Sequence, residues 1–216
     1  MQISLIGTVH SDSDLSSATE LHKILERIEP EVVFAEIPSS KCPDYINGSH
    51  GTLESRAVAI YLEHRSIDVV PVDLDEPSDE FFRDAKEMFG KIERTSARYR
   101  QLVDQHTLDT KSSGFSYLNS ERCVQALTLI HKETLETLDW IGGQHPKEIY
   151  EQWRKVNDLR EKAMLENIYR YCDGTSLSRG ALLVGTAHRR ALMDKILQCT
   201  GKDANRLTWD FEVPCS

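Results

Sequence analysis

Two six-residue stretches near opposite ends of the chain are near-copies: Leu5-Ile6-Gly7-Thr8-Val9-His10 and Leu183-Val184-Gly185-Thr186-Ala187-His188. In each, an apolar run ends in Gly-Thr-x-His. The glycine lets backbone turn sharply or approach closely. The threonine adds a hydroxyl in the same turn. The imidazole can ligate a metal or move a proton near neutral pH. Each motif falls between an expected strand and an expected helix. A histidine near a helix N-terminus meets partial positive charge, which disfavours imidazolium. A neutral ring is what a metal ligand or a general base needs. Two carboxylates belong with them: Glu36, after Val32-Val33-Phe34-Ala35, and Asp73, after the apolar run Ile67 to Val72. Each residue alone has an ordinary reading, a hydrogen-bonded turn histidine or a helix-capping aspartate. Together they have the composition of a metal or acid–base site.

Other groups are more ambiguous. Glu54 falls in the first turn of an expected helix, where acids are favoured in any case, and Arg56 lies beside it. Arg189 and Arg190 are cations in a first helical turn, opposing the macrodipole by about 0.3–1 kcal/mol each. They read either as a solvated face or as contacts to an anionic group of a substrate. His22, His50, His64, His106, His131 and His145 show no metal-ligand spacing and read as ordinary residues.

The elements that must position these groups alternate. A strand over 2–6 is followed by a helix whose apolar face is Leu15, Ala18, Leu21, Leu25 and Ile28, ended at Pro30. The near-continuous apolar run 32–35 predicts a strand buried on both faces. A Gly/Ser/Asn-rich loop over 39–52 leads to a helix bearing Leu53, Ala57, Ile60 and Tyr61. A second buried strand follows over 67–72, broken at Pro71. Strand, helix, strand, helix, strand implies right-handed crossovers and parallel pairing. From about 76 to 172 the β signal fades, and helices are expected at about 77–92, 93–110, 119–140 and 147–172. The pattern then returns with a strand over 181–184, a helix capped at Gly201 and an alternating strand over 206–213, read as an antiparallel edge. The expected fold is α/β: one domain over 1–216, with a mainly parallel central sheet flanked by helices and a helical insertion over about 76–172. Parallel strands present their C-terminal ends on one edge, where ligands bind in open α/β sheets. His10, Glu36, Asp73 and His188 would meet there.

Composition bounds the partners. A chain of 216 residues with 28% charged and 39% apolar residues can bury a core without disulfides or structural zinc. Thirty-five acidic against 26 basic residues, a net charge of −9, argue against a nucleic-acid surface. The five cysteines (42, 123, 172, 199 and 215) are odd in number with no CxxC pair, predicting reduced, mostly packed thiols. The N-terminal residues lack a signal-peptide pattern, and no apolar stretch approaches a membrane span. A cytoplasmic protein without a membrane anchor is the expectation.

The paired GxxH motifs, Glu36 in Val-Phe-Ala-Glu-Ile, Glu54 before an alanine-containing helix, Asp73, and Arg160-x-x-x-Met164 together resemble the TraB/PrgY family. The wider superfamily joins it to TIKI proteases, erythromycin-esterase-like proteins and ChaN-like haem-binding proteins. The resemblance runs from residue 3 to about 195. It implies a sheet core with a helical insertion and a site of two histidines, glutamates and an arginine. TIKI-type members are described as metal-dependent peptidases, and erythromycin-esterase-like members as metal-independent hydrolases. The leading expectation is therefore a metal-dependent, metalloprotease-like hydrolase acting on a peptide or small molecule. His10, Glu36 and His188 would bind one divalent ion (zinc, manganese, cobalt or iron). Glu54 or Asp73 would complete or bridge the ligand set. Glu54 would act as general base, and Arg160 would stabilise the developing oxyanion. Arg189 and Arg190 would contact substrate. The alternatives are a metal-independent esterase or amidase with His10 as base, helped by Glu36 or Glu54, and a non-catalytic metal-, haem- or peptide-binding regulator.

Overall fold

A computed structural model describes residues 1–199 and 207–214. The expected cap at Gly201, the start of the last strand at Arg206, and Cys215 lie outside the described residues. Five strands form one sheet in the order β3-β2-β4-β1-β5. They are β1 (Gln2–Thr8), β2 (Val32–Ala35), β3 (Asp68–Pro71), β4 (Arg179–Gly185) and β5 (Thr208–Asp210). Every pairing is parallel. Helices α1 (Ala18–Ile28) and α3 (Leu53–Leu62) join the first three strands, with the short α2 (Cys42–Ile46) between them. Four helices lie between β3 and β4: α4 (Asp79–Thr95), α5 (Ala97–Leu118), α6 (Glu121–Ile141) and α7 (Gln144–Asp173). Helix α8 (Thr186–Gln198) follows β4.

Strand alternation divides the core into two layers. Val33, Ala35, Ala181 and Leu183 face one side, where Leu21 and Leu25 of α1 and Ala57 and Tyr61 of α3 cover them. Val32, Phe34, Leu182 and Val184 face the other, against Met164 and Ile168 of α7 and Leu192 of α8. A period of two on a sheet covered on both faces yields the uninterrupted apolar runs of β2 and β4. A third, smaller cluster (Met88, Ile92, Leu138 and Tyr150) holds the far part of the helical insertion together. Five helices begin on serine or threonine caps: Ser17, Thr52, Ser78, Ser96 and Ser120 each accept a hydrogen bond from the backbone N–H three residues on.

Several sequence expectations need correction. β5 is an edge strand but runs parallel to β1, because α8 carries the chain back across the sheet before it. Its alternation reflects half-coverage, which an edge strand shows in either direction. β3 is also an edge rather than a buried strand; its burial is partial, and Pro71 is tolerated because only β2 pairs with it. Leu15 precedes α1, which starts after the Ser17 cap. The loop over 39–52 contains a 3-10 turn (Ser39–Lys41) and α2. Gly114 breaks the helical run of α5 at φ 54° and ψ −137°; a Cβ there would lie 2.0 Å from the Leu15 carbonyl oxygen. Only glycine fits that crossing of the Leu15 loop.

At its upper end β1 has no β5 partner, since that pairing stops at Ser4. The Asn119 side chain takes the place of a strand there. Its amide oxygen accepts from Gly7 N–H (2.7 Å), and its amide nitrogen donates to Gly7 C=O (3.1 Å). The four described cysteines carry free thiols, of which only Cys123 is buried. No helix among the described residues is long and apolar enough to cross a membrane.

Candidate functional site

The C-terminal ends of the strands gather the expected side chains. Glu36 follows β2, and its Oε2 accepts from Gly185 N–H at 2.6 Å. Gly185 is the N-terminal flank of α8, which has no side-chain cap of its own. The Glu36 carboxylate fills that role, where the helix macrodipole favours negative charge. Its other oxygen accepts from Arg160 Nη2 at 2.7 Å. Arg160 reaches in from α7. Its Nε lies 3.2 and 3.0 Å from the two Asp73 oxygens, and its Nη2 lies 2.5 Å from Asp73 Oδ2. Burial opposes the arginine's charge, but the hydrogen bond and charge of Asp73 and the charge of Glu36 outweigh it and push its pKa up. Among the described residues Nη1 makes only long contacts, 3.4 Å to Asn157 and 3.5 Å to His188 Nε2.

The two GxxH motifs place their histidines differently. His188 lies in the first turn of α8, is almost fully buried, and stands between two carboxylates. Its Nδ1 is 2.9 Å from Glu161 Oε1, and its Nε2 is 3.3 Å from Glu36 Oε1. Glu161 in turn accepts from Lys195 Nζ at 2.7 Å. His10 lies instead on the irregular segment between β1 and α1, with its side chain 65% exposed. No helix begins there, so the expected helix-terminus effect is absent for His10. Its Nδ1 is 3.2 Å from Glu54 Oε1, which also accepts from Thr8 Oγ1 at 2.7 Å. The Glu54 hydrogen bond, opposed by partial burial and aided by the charges of Glu54 and Glu36, raises the His10 pKa, while Arg160 pulls the other way. The imidazolium is thus favoured relative to free histidine, contrary to the sequence expectation. A Cβ on Gly185 would sit 3.4 Å from Glu36 Oε2 and 3.9 Å from His10 Nε2, so these two groups flank the same glycine.

His10, Glu36, Glu54, Asp73, Arg160 and His188 therefore form one neighbourhood, and Arg189 and Arg190 are outside it. Successive helix residues turn by about 100°, so with His188 facing inward the next two point elsewhere. Arg189 is 4% exposed and donates to the Phe211 carbonyl at 2.7 Å. Burial lowers its pKa. Its Cδ would lie 2.9 Å from a Cβ on Gly7, which explains the first motif's glycine by packing. Arg190 is exposed and pairs with Asp194 at 2.9 Å.

The expected metal ligands do not make a ligand set. Both Glu36 oxygens are engaged, by Gly185 and Arg160, and both His188 nitrogens face protein carboxylates. The Arg160 guanidinium stands at the point where Glu36, Asp73 and His188 converge, so a fixed cation already balances these acids. Among the described residues no three His, Cys, Asp or Glu side chains are gathered to hold a metal ion.

Sequence reading missed Glu161, Lys195, Tyr45 and His50. Glu161 adjoins Arg160 on α7, and no local pattern marks it. Tyr45 sits on α2, whose Cys-Pro-Asp start, with proline in the first turn and an acid behind it, is a helix-start signal inside the stretch read as loop. Tyr45 and His50 line a small cavity together with His10, Glu36 and Glu54.

The chain matches no protein-family model, no curated protein and no solved structure.

Proposed function

We propose that this protein is a hydrolase of carbonyl substrates, a small ester or amide or a peptide, that works by acid–base chemistry without a metal ion. The observation that carries this reading is the His10–Glu54 pair. Glu54 holds Nδ1, which fixes the ring and stabilises the imidazolium that forms when Nε2 takes a proton. Among the described residues Nε2 has no hydrogen-bond partner, and the ring opens to solvent. In the reaction, the oxygen of a water bonds to the carbonyl carbon while Nε2 accepts the water's proton. The bond to the alcohol or amine then breaks, and that proton leaves with it. Arg160 Nη1, the one guanidinium nitrogen not committed to a carboxylate, is the donor available to the developing oxyanion. Glu36 and Asp73 hold Arg160, and Glu161 holds His188. Within the superfamily that the motifs resemble, the erythromycin-esterase-like members are the ones described as metal-independent hydrolases, the class proposed here. Free thiols on the described cysteines suit the expected cytoplasmic setting.

The test is hydrolysis of p-nitrophenyl acetate by protein purified without a histidine tag, before and after exhaustive chelation, with metal content measured on the same sample. Activity should survive chelation and fall by about 10²–10⁴-fold in His10→Ala. Activity lost on chelation and restored by zinc or manganese would return the site to metal chemistry.

A further inference from the structure

We infer that the cavity between Tyr45 and Glu54 is a built water site that supplies the water consumed at His10; this rests on the hydrolase reading above. Its lining includes His10, Glu36, Tyr45, His50 and Glu54. The space measures about 30 Å³, enough for a single water, whose centre needs roughly 10–15 Å³.

The polar atoms call for such an occupant. Glu54 is 5% exposed and Tyr45 3% exposed. Glu54 uses Oε1 for Thr8 and His10, yet its Oε2 is buried with no hydrogen-bond partner. His50 is another lining residue, and its Nδ1 is also buried and unpartnered. No hydrogen bond from the Tyr45 hydroxyl is present among the described residues, although its backbone carbonyl accepts from Ser55 Oγ at 2.9 Å. Burial, followed by the negative charges of Glu54 and Glu36, keeps the phenol protonated and therefore a donor. Buried polar groups left unmade cost about 1–3 kcal/mol each, and native proteins satisfy such groups with protein or with ordered water.

One water serves the Tyr45 hydroxyl and Glu54 Oε2 together. It accepts from the Tyr45 O–H and donates one hydrogen to Glu54 Oε2. Its second hydrogen is left for the imidazole of His10, and one lone pair is left for a carbonyl carbon. An oxyanion would be a poor occupant, because Glu36 and Glu54 both line the space. Glu54 therefore has two tasks, with Oε1 holding the base and Oε2 holding the nucleophile. Tyr45 completes the hold on the water.

The test pairs a high-resolution crystal structure of the full chain with kinetics of Tyr45→Phe on p-nitrophenyl acetate. The expected density is one ordered water bridging Tyr45 Oη and Glu54 Oε2, lost or displaced in the variant. Turnover should drop about ten- to a hundredfold with KM little changed, the size of effect expected from a misplaced reactant. The substitution removes only an oxygen that makes no hydrogen bond among the described residues, and thermal melting checks that the variant folds. A direct Tyr45–Glu54 hydrogen bond with no water between them would overturn the inference. So would a bridging water in the native protein with unchanged turnover in Tyr45→Phe. A bridging water in a native protein that hydrolyses no ester would support the water site and sink the hydrolase reading instead.

Discussion

Arg160→Met isolates the electrostatic logic of the site. The arginine is three-quarters buried and serves Glu36 and Asp73, whose side chains are 8% and 5% exposed. Removing it leaves two buried carboxylates near one another with no cation. Breaking a buried pair by deleting one partner costs about 3–5 kcal/mol, a large share of the 5–15 kcal/mol that an ordinary domain possesses. The thioether replaces most of the lost stem volume, so the cost is chiefly charge rather than packing. Urea unfolding at pH 7, for native protein and variant, measures the difference. If Arg160→Met fails to fold at pH 7, the triple variant with Glu36→Gln and Asp73→Asn should recover much of the loss, because no unpaired charge remains. A deficit below about 1 kcal/mol at pH 7, typical of an exposed pair, would refute the picture of a buried cation balancing two acids.

Gly114→Ala should destabilise the fold by about 3 kcal/mol or more, since it combines a backbone conformation reserved for glycine with a clash against the Leu15 backbone; an unchanged melting temperature would contradict this crossing. The rate of ester hydrolysis should rise with pH through a midpoint above the ordinary histidine value of 6.5, because the base must be neutral and Glu54 raises the His10 pKa against the pull of burial and Arg160. Glu54→Gln should move that midpoint down, which a pH–rate profile reads directly. The same raised pKa gives the folded state a contribution that is complete below pH 6.5 and fades as pH climbs through the folded value, small because the His10 ring is largely exposed.

The alternation of β1 to β4 with helices was legible because each element repeats its own apolar period, and parallel pairing then brought positions 10, 36, 73 and 188 to one edge. What escaped has physical reasons. The direction of β5 depends on where α8 returns the chain, not on the alternation of Trp209 and Phe211. The motif copies around His10 and His188 look alike because both leave a strand through Gly-Thr. Only the second enters a helix at once, so the rings differ in burial and partners. Arg189 looks like a substrate contact until the turn of α8 is drawn, when it becomes a packing residue over Gly7. A guanidinium standing between these acids is a tertiary fact: Arg160 entered the sequence analysis only through the family resemblance, and its hold on Asp73 and Glu36 spans distant parts of the chain.

The Asn119 amide on Gly7 bears on how the molecule avoids its own kind. Its two hydrogen bonds occupy the donor and acceptor that β1 would otherwise offer to a visiting strand above the end of β5. A bare stretch of this sort invites sheet extension by a second molecule. A side chain that imitates backbone forecloses it while leaving the rim beside His10 open. Helix α5 thereby ends in a plug on the sheet margin, and replacing Asn119 with leucine would leave the margin uncovered and the protein more prone to self-association on heating.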